Sequence, residues 1–135
     1  MEDIKDKCNP LVFDAVKDSG AREQFATGAV RDIQAGKGWP HIIPTTALLR
    51  LAKHFQNGAV KYGKNNWQKG IPLSSYLDSA FRHWCAVKDC KQDEDHLSAL
   101  IWNAACFMET VELIKQGKIP KEIDDIGYIN ANSKN

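Results

Sequence analysis

The run Asp95-His96-Leu97-Ser98-Ala99-Leu100-Ile101-Trp102-Asn103-Ala104-Ala105-Cys106-Phe107-Met108-Glu109-Thr110-Val111-Glu112-Leu113-Ile114-Lys115-Gln116 decides the fold. Leu97, Leu100, Ile101, Ala104, Phe107, Met108, Val111 and Ile114 recur at three- and four-residue intervals, the spacing of one helical face. Apolar residues continue nearly all round, the signature of a helix packed on more than one side. The run therefore predicts a central helix over about 95–116. Asp93 or Asp95 caps its start, where a carboxylate accepts from free backbone N–H groups. Gly117 and Pro120 end it.

Two amphipathic stretches precede it. Residues 75–89 open after Pro72-Leu73-Ser74, with Ser75 and Asp78 at capping-box spacing. Leu77, Ala80, Phe81, Trp84 and Val87 form the apolar stripe, and Asp78 and Arg82 stand four apart as an expected ion pair. Residues 46–62 follow Pro44, with Thr45 or Thr46 as cap, an apolar stripe through Leu48, Leu51, Phe55 and Ala59, and Gly63 as the stop. The expected fold class is all-α: a small helical bundle with glycine-rich N-terminal loops. The first 40 residues leave room for a short β-pair. The domain reading is an N-terminal arm over 1–18 (with the apolar patch Leu11-Val12-Phe13), one helical domain over 19–128, and a frayed tail over 129–135.

The chain has 135 residues, 43% of them hydrophobic and 26% charged, with a net charge of +1. That size suits one domain with a real core. The near-zero charge gives no global basic field, so no nucleic-acid polymer is expected and any anion site is local. Cys8, Cys85, Cys90 and Cys106 form no CxxC pair, which points to reduced thiols and a cytoplasmic setting. No apolar run approaches membrane-spanning length, so no membrane partner is expected.

Groups suited to a ligand gather in two places. Lys61-Tyr62-Gly63-Lys64-Asn65-Asn66-Trp67-Gln68-Lys69-Gly70-Ile71-Pro72 combines turn glycines, amides, a flat aromatic face and three lysines. Its bland alternative is a solvated loop with Trp67 plugged into the core. Upstream, Arg31 and Lys37 sit among Gly20, Gly28, Gly36 and Gly38, a composition that holds phosphates when bare N–H groups and a cation converge. The GxxxxGK[ST] spacing of a P-loop is absent. Arg31, Lys37, Lys61 and Arg82 are the expected anion grip, Trp67 the stacking face, Asn66 or Asn103 the amide that reads a ligand edge, and Tyr62 a further binding residue. Asn103 lies in the apolar run, where a buried amide needs partners.

Asp18-Ser19-Gly20, Thr27-Gly28-Ala29-Val30-Arg31-Asp32, Gly36-Lys37-Gly38, Ile43-Pro44, Gly58, Lys61-Tyr62-Gly63, Asn66-Trp67, Lys69-Gly70-Ile71-Pro72, Asp78-Ser79-Ala80, Arg82-His83, Glu94-Asp95-His96 and Trp102-Asn103 occur in this order. This succession resembles the dATP/dGTP diphosphohydrolase N-terminal domain family, small proteins associated with phages and bacteria, some standing before a MazG-like domain. The resemblance implies cleavage of a purine deoxynucleoside triphosphate to monophosphate and pyrophosphate. Related all-α pyrophosphohydrolases hold magnesium with an ExxE…ExxD set on two helices. Here Glu109-x-x-Glu112 and Glu122-x-x-Asp125 are too close, with Gly117 and Pro120 between them. For a Mg2+ site the expected ligands are Asp78 and Glu94, which on antiparallel helices meet only across a subunit interface. Glu94, Asp95, His96 and His83 are the expected catalytic groups.

The missing carboxylate set leaves a second reading, a non-catalytic nucleotide binder such as a phage sponge for a nucleotide-derived immune signal. A third is an accessory domain for a pyrophosphohydrolase. The surplus apolar surface of the 95–116 helix points to a homo-oligomer.

Overall fold

The computed structural model describes residues 16, 18 and 20–131. They fall into two compact units, one up to His41 and one from Ile42. The N-terminal arm with Leu11-Val12-Phe13, and residues 132–135 of the tail, lie outside the described residues.

The second unit is built on three helices, α1 (Thr45–Tyr62), α2 (Leu73–Lys88) and α3 (His96–Lys115). α3 packs against both α2 and α1, so it is central, as its all-round apolarity requires. Asp95 caps it: the carboxylate accepts from Ser98 N at 3.0 Å and from the Ser98 hydroxyl at 2.6 Å. By length and composition α3 could also cross a bilayer. It differs there from the expectation that no run reaches that length, yet it buries Ser98, Asn103 and Thr110 within the unit.

The buried seam is not the stripe of large side chains. Leu73, Tyr76, Cys106 and Val111 form the core, with Phe55, Trp67, Ile71, Trp102, Phe107 and Ile129 packed on it. α3 turns Ala99, Asn103, Cys106 and Thr110 inward, small or compact residues at helical spacing that let α2 approach. Leu77, Phe81 and Trp84 of α2 and Leu97, Ile101 and Met108 of α3 are instead exposed. A helix apolar on two faces gives no sequence signal for which face a neighbour covers. Burial pushes the Cys106 thiol up to about 12.

Helix starts also depart from the reading. Thr45 and Thr46 make no cap, and neither does Ser75. Asp125, from the end of the chain, accepts from Ser74 N at 3.0 Å and from the Ser74 hydroxyl, satisfying the first turn of α2. Among the described residues Asp78 and Arg82 form no ion pair.

The first unit corrects the all-α expectation. β1 (Arg22–Gln24) and β2 (Val30–Asp32) form an antiparallel hairpin with Arg22 opposite Asp32, Glu23 opposite Arg31 and Gln24 opposite Val30. Gly28, at φ 86°, closes the loop, and its N–H donates to Phe25 O at 2.9 Å. Three-residue strands are too short for a period-two pattern to register, and opposite charges, not apolar alternation, hold them in line.

Candidate functional site

The glycine-rich stretch after α1 shapes a cleft. Gly63, at φ 94°, ends α1 with its N–H on Ala59 O at 2.9 Å. Asn65 is left-handed at φ 60°, a short 3-10 turn covers Asn66–Lys69, and Gly70 sits at φ 109°. A Cβ on Gly70 would lie 2.9 Å from Ile119 Cγ2 and 3.2 Å from Ile123 Cδ1, so only glycine lets the loop seat there. The resulting cleft has a volume of about 580 Å³ and is lined by Phe55, Tyr62, Asn65, Asn66, Trp67 and Trp102, among others. Its size and aromatic walls with a few amides suit a small planar ligand. The Lys61 ammonium lies 4.9 Å from the centre of the Tyr62 ring at its rim.

A polar cluster lies at the α2–α3 turn. His83 Nδ1 is 2.9 Å from His96 Nδ1, and the Glu94 carboxylate reaches them at 3.3 and 3.4 Å. His96 Nε2 is 2.8 Å from Asp93 Oδ1. With Nε2–H donating to that carboxylate, the His96 Nδ1 lone pair faces His83 and Glu94. The His96 bond holds the Asp93 carboxyl below the usual carboxylate range. His96 is buried, whereas Glu94 is exposed. Arg50 of α1 grips Asp95 with two hydrogen bonds of 2.8 and 2.5 Å and holds its carboxyl well below the usual range. Glu94, Asp95 and His96 also edge a second depression of about 560 Å³.

Trp102 lines the cleft, and its ring centre is 5.7 Å from that of His54. Burial, then the nearby His83, lowers the His54 pKa, so its ring is neutral at pH 7. Lys61 is held charged by Tyr62 and, more weakly, by Glu94.

The expected site residues thus divide. Tyr62, Asn66 and Trp67 line the cleft, with Lys61 against the Tyr62 ring; His83, Glu94 and His96 meet at the cluster, with Asp95 tied to Arg50. Trp67 is partly buried on the core and also lines the cleft. Asn103 is buried and its amide donates to Ala99 O at 2.8 Å and Ser79 Oγ at 3.2 Å, a structural role away from the cleft. Arg82 and Asp78 are exposed, and Asp78 is outside the cluster. Arg31 and Lys37 belong to the first unit. There Arg31 lines a shallow groove together with Asp18 and Asp32, which bracket Arg22 at 2.6 and 2.9 Å. Trp102, His54 and Arg50 were missed. Phe55, Ala59 and Tyr62, at four- and three-residue spacing, mark the face of α1 that meets Trp102.

A family model described as dATP/dGTP diphosphohydrolase, N-terminal, matches residues 27–122. The chain belongs to that family. The span this dATP/dGTP diphosphohydrolase N-terminal family covers includes the whole cleft and the whole cluster. No curated protein and no solved structure matches the chain.

Proposed function

We propose that the chain binds a purine deoxynucleoside triphosphate, its base in the aromatic cleft and its phosphates toward the histidine–carboxylate cluster, and hydrolyses it. The observation that carries this reading is the aromatic cleft of about 580 Å³, whose wall residue Trp102 has its ring 5.7 Å from that of His54, a side chain within electrostatic reach of His83 and Glu94. Trp67 and Trp102 offer stacking faces, and Asn65 and Asn66 offer amides to the base edge. Lys61, at the rim and within electrostatic reach of Glu94, meets the phosphates. Water attacks the α-phosphorus, and the bond to the bridging oxygen breaks. Monophosphate and pyrophosphate leave, and Glu94 or His83 takes the water's proton.

The residues do not fit a magnesium ion on Asp78 and Glu94. Asp78 stands outside the cluster, and the Glu94 oxygen faces two imidazole nitrogens, whereas magnesium prefers an all-oxygen octahedron. Magnesium enters this reading as the counter-ion of the triphosphate substrate.

A second reading, a binder that does not hydrolyse its ligand, is favoured by the carboxylates. Glu109 and Glu112 lie on α3, Glu122 lies in a 3-10 turn, and Asp125 is bonded to Ser74, so they form no two-helix set. Chromatography of products from a dNTP panel and cyclic dinucleotides decides. Monophosphate and pyrophosphate from dATP or dGTP support the hydrolase; a ligand recovered intact only after denaturation supports the binder.

The exposed face of Leu77, Phe81, Trp84, Ile101 and Met108 supports assembly of copies through α2 and α3. Light scattering is expected to give a multiple of the 15.1 kDa chain mass, and Phe81→Glu to return the monomer.

A further inference from the structure

We propose that His83, Glu94 and His96 form a binding site for a first-row divalent transition ion of the zinc or cobalt type. The site stands on geometry alone and does not depend on the nucleotide reading.

Three donor atoms converge. His83 Nδ1 and His96 Nδ1 are 2.9 Å apart, and Glu94 Oε1 is 3.3 Å from the first and 3.4 Å from the second. Two ligands at a tetrahedral angle on an ion with bonds of about 2.0–2.1 Å are roughly 3.3–3.4 Å apart, and at a right angle roughly 2.9 Å. The triangle is therefore one face of a coordination polyhedron, and a point about 2 Å from all three donors exists. Two imidazoles and one carboxylate are the donor set of open, three-ligand zinc sites, and imidazole nitrogen selects transition ions over magnesium.

The surroundings match a metal ligand set as well. His96 is buried, and its far nitrogen, Nε2, is 2.8 Å from the Asp93 carboxylate. A carboxylate on the remote ring nitrogen fixes the tautomer and aims the lone pair of the other nitrogen at the ion. His83 comes from the middle of α2, and Glu94 and His96 from the capped start of α3, whose first turn is pinned by Asp95 on Ser98 and Arg50. The two histidines thus stand on regular helices, and Glu94 stands in the turn next to the capped start of α3. Glu94 and His96 edge the depression of about 560 Å³ beside Lys91 and Gln92, through which an ion enters and further ligands reach its open positions. The competing arrangement is a proton shared between the two Nδ1 atoms, with Glu94 balancing its charge.

The test uses the full chain without a histidine tag, stripped with a chelator and titrated with Co2+ under visible absorption, then with Zn2+ in competition. The proposal predicts one Co2+ per chain with ligand-field bands, displacement by equimolar Zn2+, and no displacement by millimolar Mg2+. His83→Ala and Glu94→Gln are each expected to lower the affinity at least about tenfold, and Asp93→Asn by about 10–100-fold as a positioning residue. Circular dichroism checks that each variant is folded; Cys90→Ser, at the same turn, is expected to leave binding unchanged. No saturable Co2+ binding, or affinity equal in wild type and folded Glu94→Gln, overturns the site and leaves the shared proton. Metal binding without dNTP turnover retains the site and refutes only the hydrolase reading.

Discussion

The cleft lined by Trp102 and the cluster of His83, Glu94 and His96 are built by opposite means. The cleft is a shape made by backbone: Gly63, Asn65 and Gly70 hold positive φ so that Trp67 and the amides face Phe55, Tyr62 and Trp102. The cluster is made by side chains from two regular helices and one polar turn, locked by hydrogen bonds of 2.8–2.9 Å. Apolar walls without a charge partner can recognise a flat ligand but move no proton. Paired imidazoles beside a carboxylate can accept a proton but offer little area to a base. On the proposed reading recognition and chemistry are thus separable, and substitutions on the two sides are expected to have different signatures.

The largest expected effect falls on the cluster side. Glu94→Gln keeps the size of the side chain and removes its charge. Turnover is expected to fall by roughly 10²–10⁴-fold, the usual contribution of a general base, while nucleotide affinity is nearly unchanged. Steady-state kinetics and calorimetry on the same preparation check it. Equal losses in both would merge the two regions into one.

A smaller effect is expected from the backbone that shapes the cleft. Gly70→Ala places a Cβ 2.9 Å from Ile119 Cγ2 at a residue with φ 109°. Strained backbone of this kind costs about 1–3 kcal/mol. Thermal unfolding should show that loss, with weaker nucleotide binding but unchanged Co2+ binding at the cluster. An unaltered midpoint would mean that the loop is not seated on the C-terminal segment as described.

The smallest expected effect lies outside both regions. Ser74, through its hydroxyl and then its N–H, lowers the Asp125 pKa. Because the folded value lies below the unfolded one, the contribution is present above about pH 3.8 and is lost as pH falls through the folded value. Asp125→Asn should therefore reduce stability at neutral pH and flatten the decline below pH 4, with cleft and cluster otherwise intact. An acid-unfolding curve identical to that of wild type would remove Asp125 as the cap of α2.

The sequence made the two regions unequally legible. The cleft announces itself because its parts are consecutive: glycines, amides, Trp67 and lysines within twelve residues. Its far wall, Trp102, sits in an apolar helix where nothing separates a ligand wall from a core residue. The cluster depends on where the turn at 89–95 sets α3 against α2. The antiparallel arrangement correctly separates Asp78 from Glu94, but the same reasoning left unseen that His83, further along α2, meets Glu94 and His96. Three helices and their order were readable from period and punctuation. Their inner faces were only partly so: Val111 and Ile114 of the stripe are buried, but Leu73, Tyr76, Ala99 and Cys106 fill the seam while Leu77, Phe81 and Ile101 stay exposed. The hairpin was nearly invisible, being three residues per strand and held by charge.

The central claim is that the aromatic cleft, not the cluster, carries base recognition. Calorimetric titration of wild type and Trp67→Ala with a dGTP analogue methylene-bridged between the α- and β-phosphates tests it without turnover. One stacked base contributes about 1–3 kcal/mol, so the substitution should weaken binding by roughly 5- to 150-fold while Co2+ binding and the helical circular dichroism persist. Affinity equal to wild type in a folded Trp67→Ala protein would contradict the assignment of the base to this cleft.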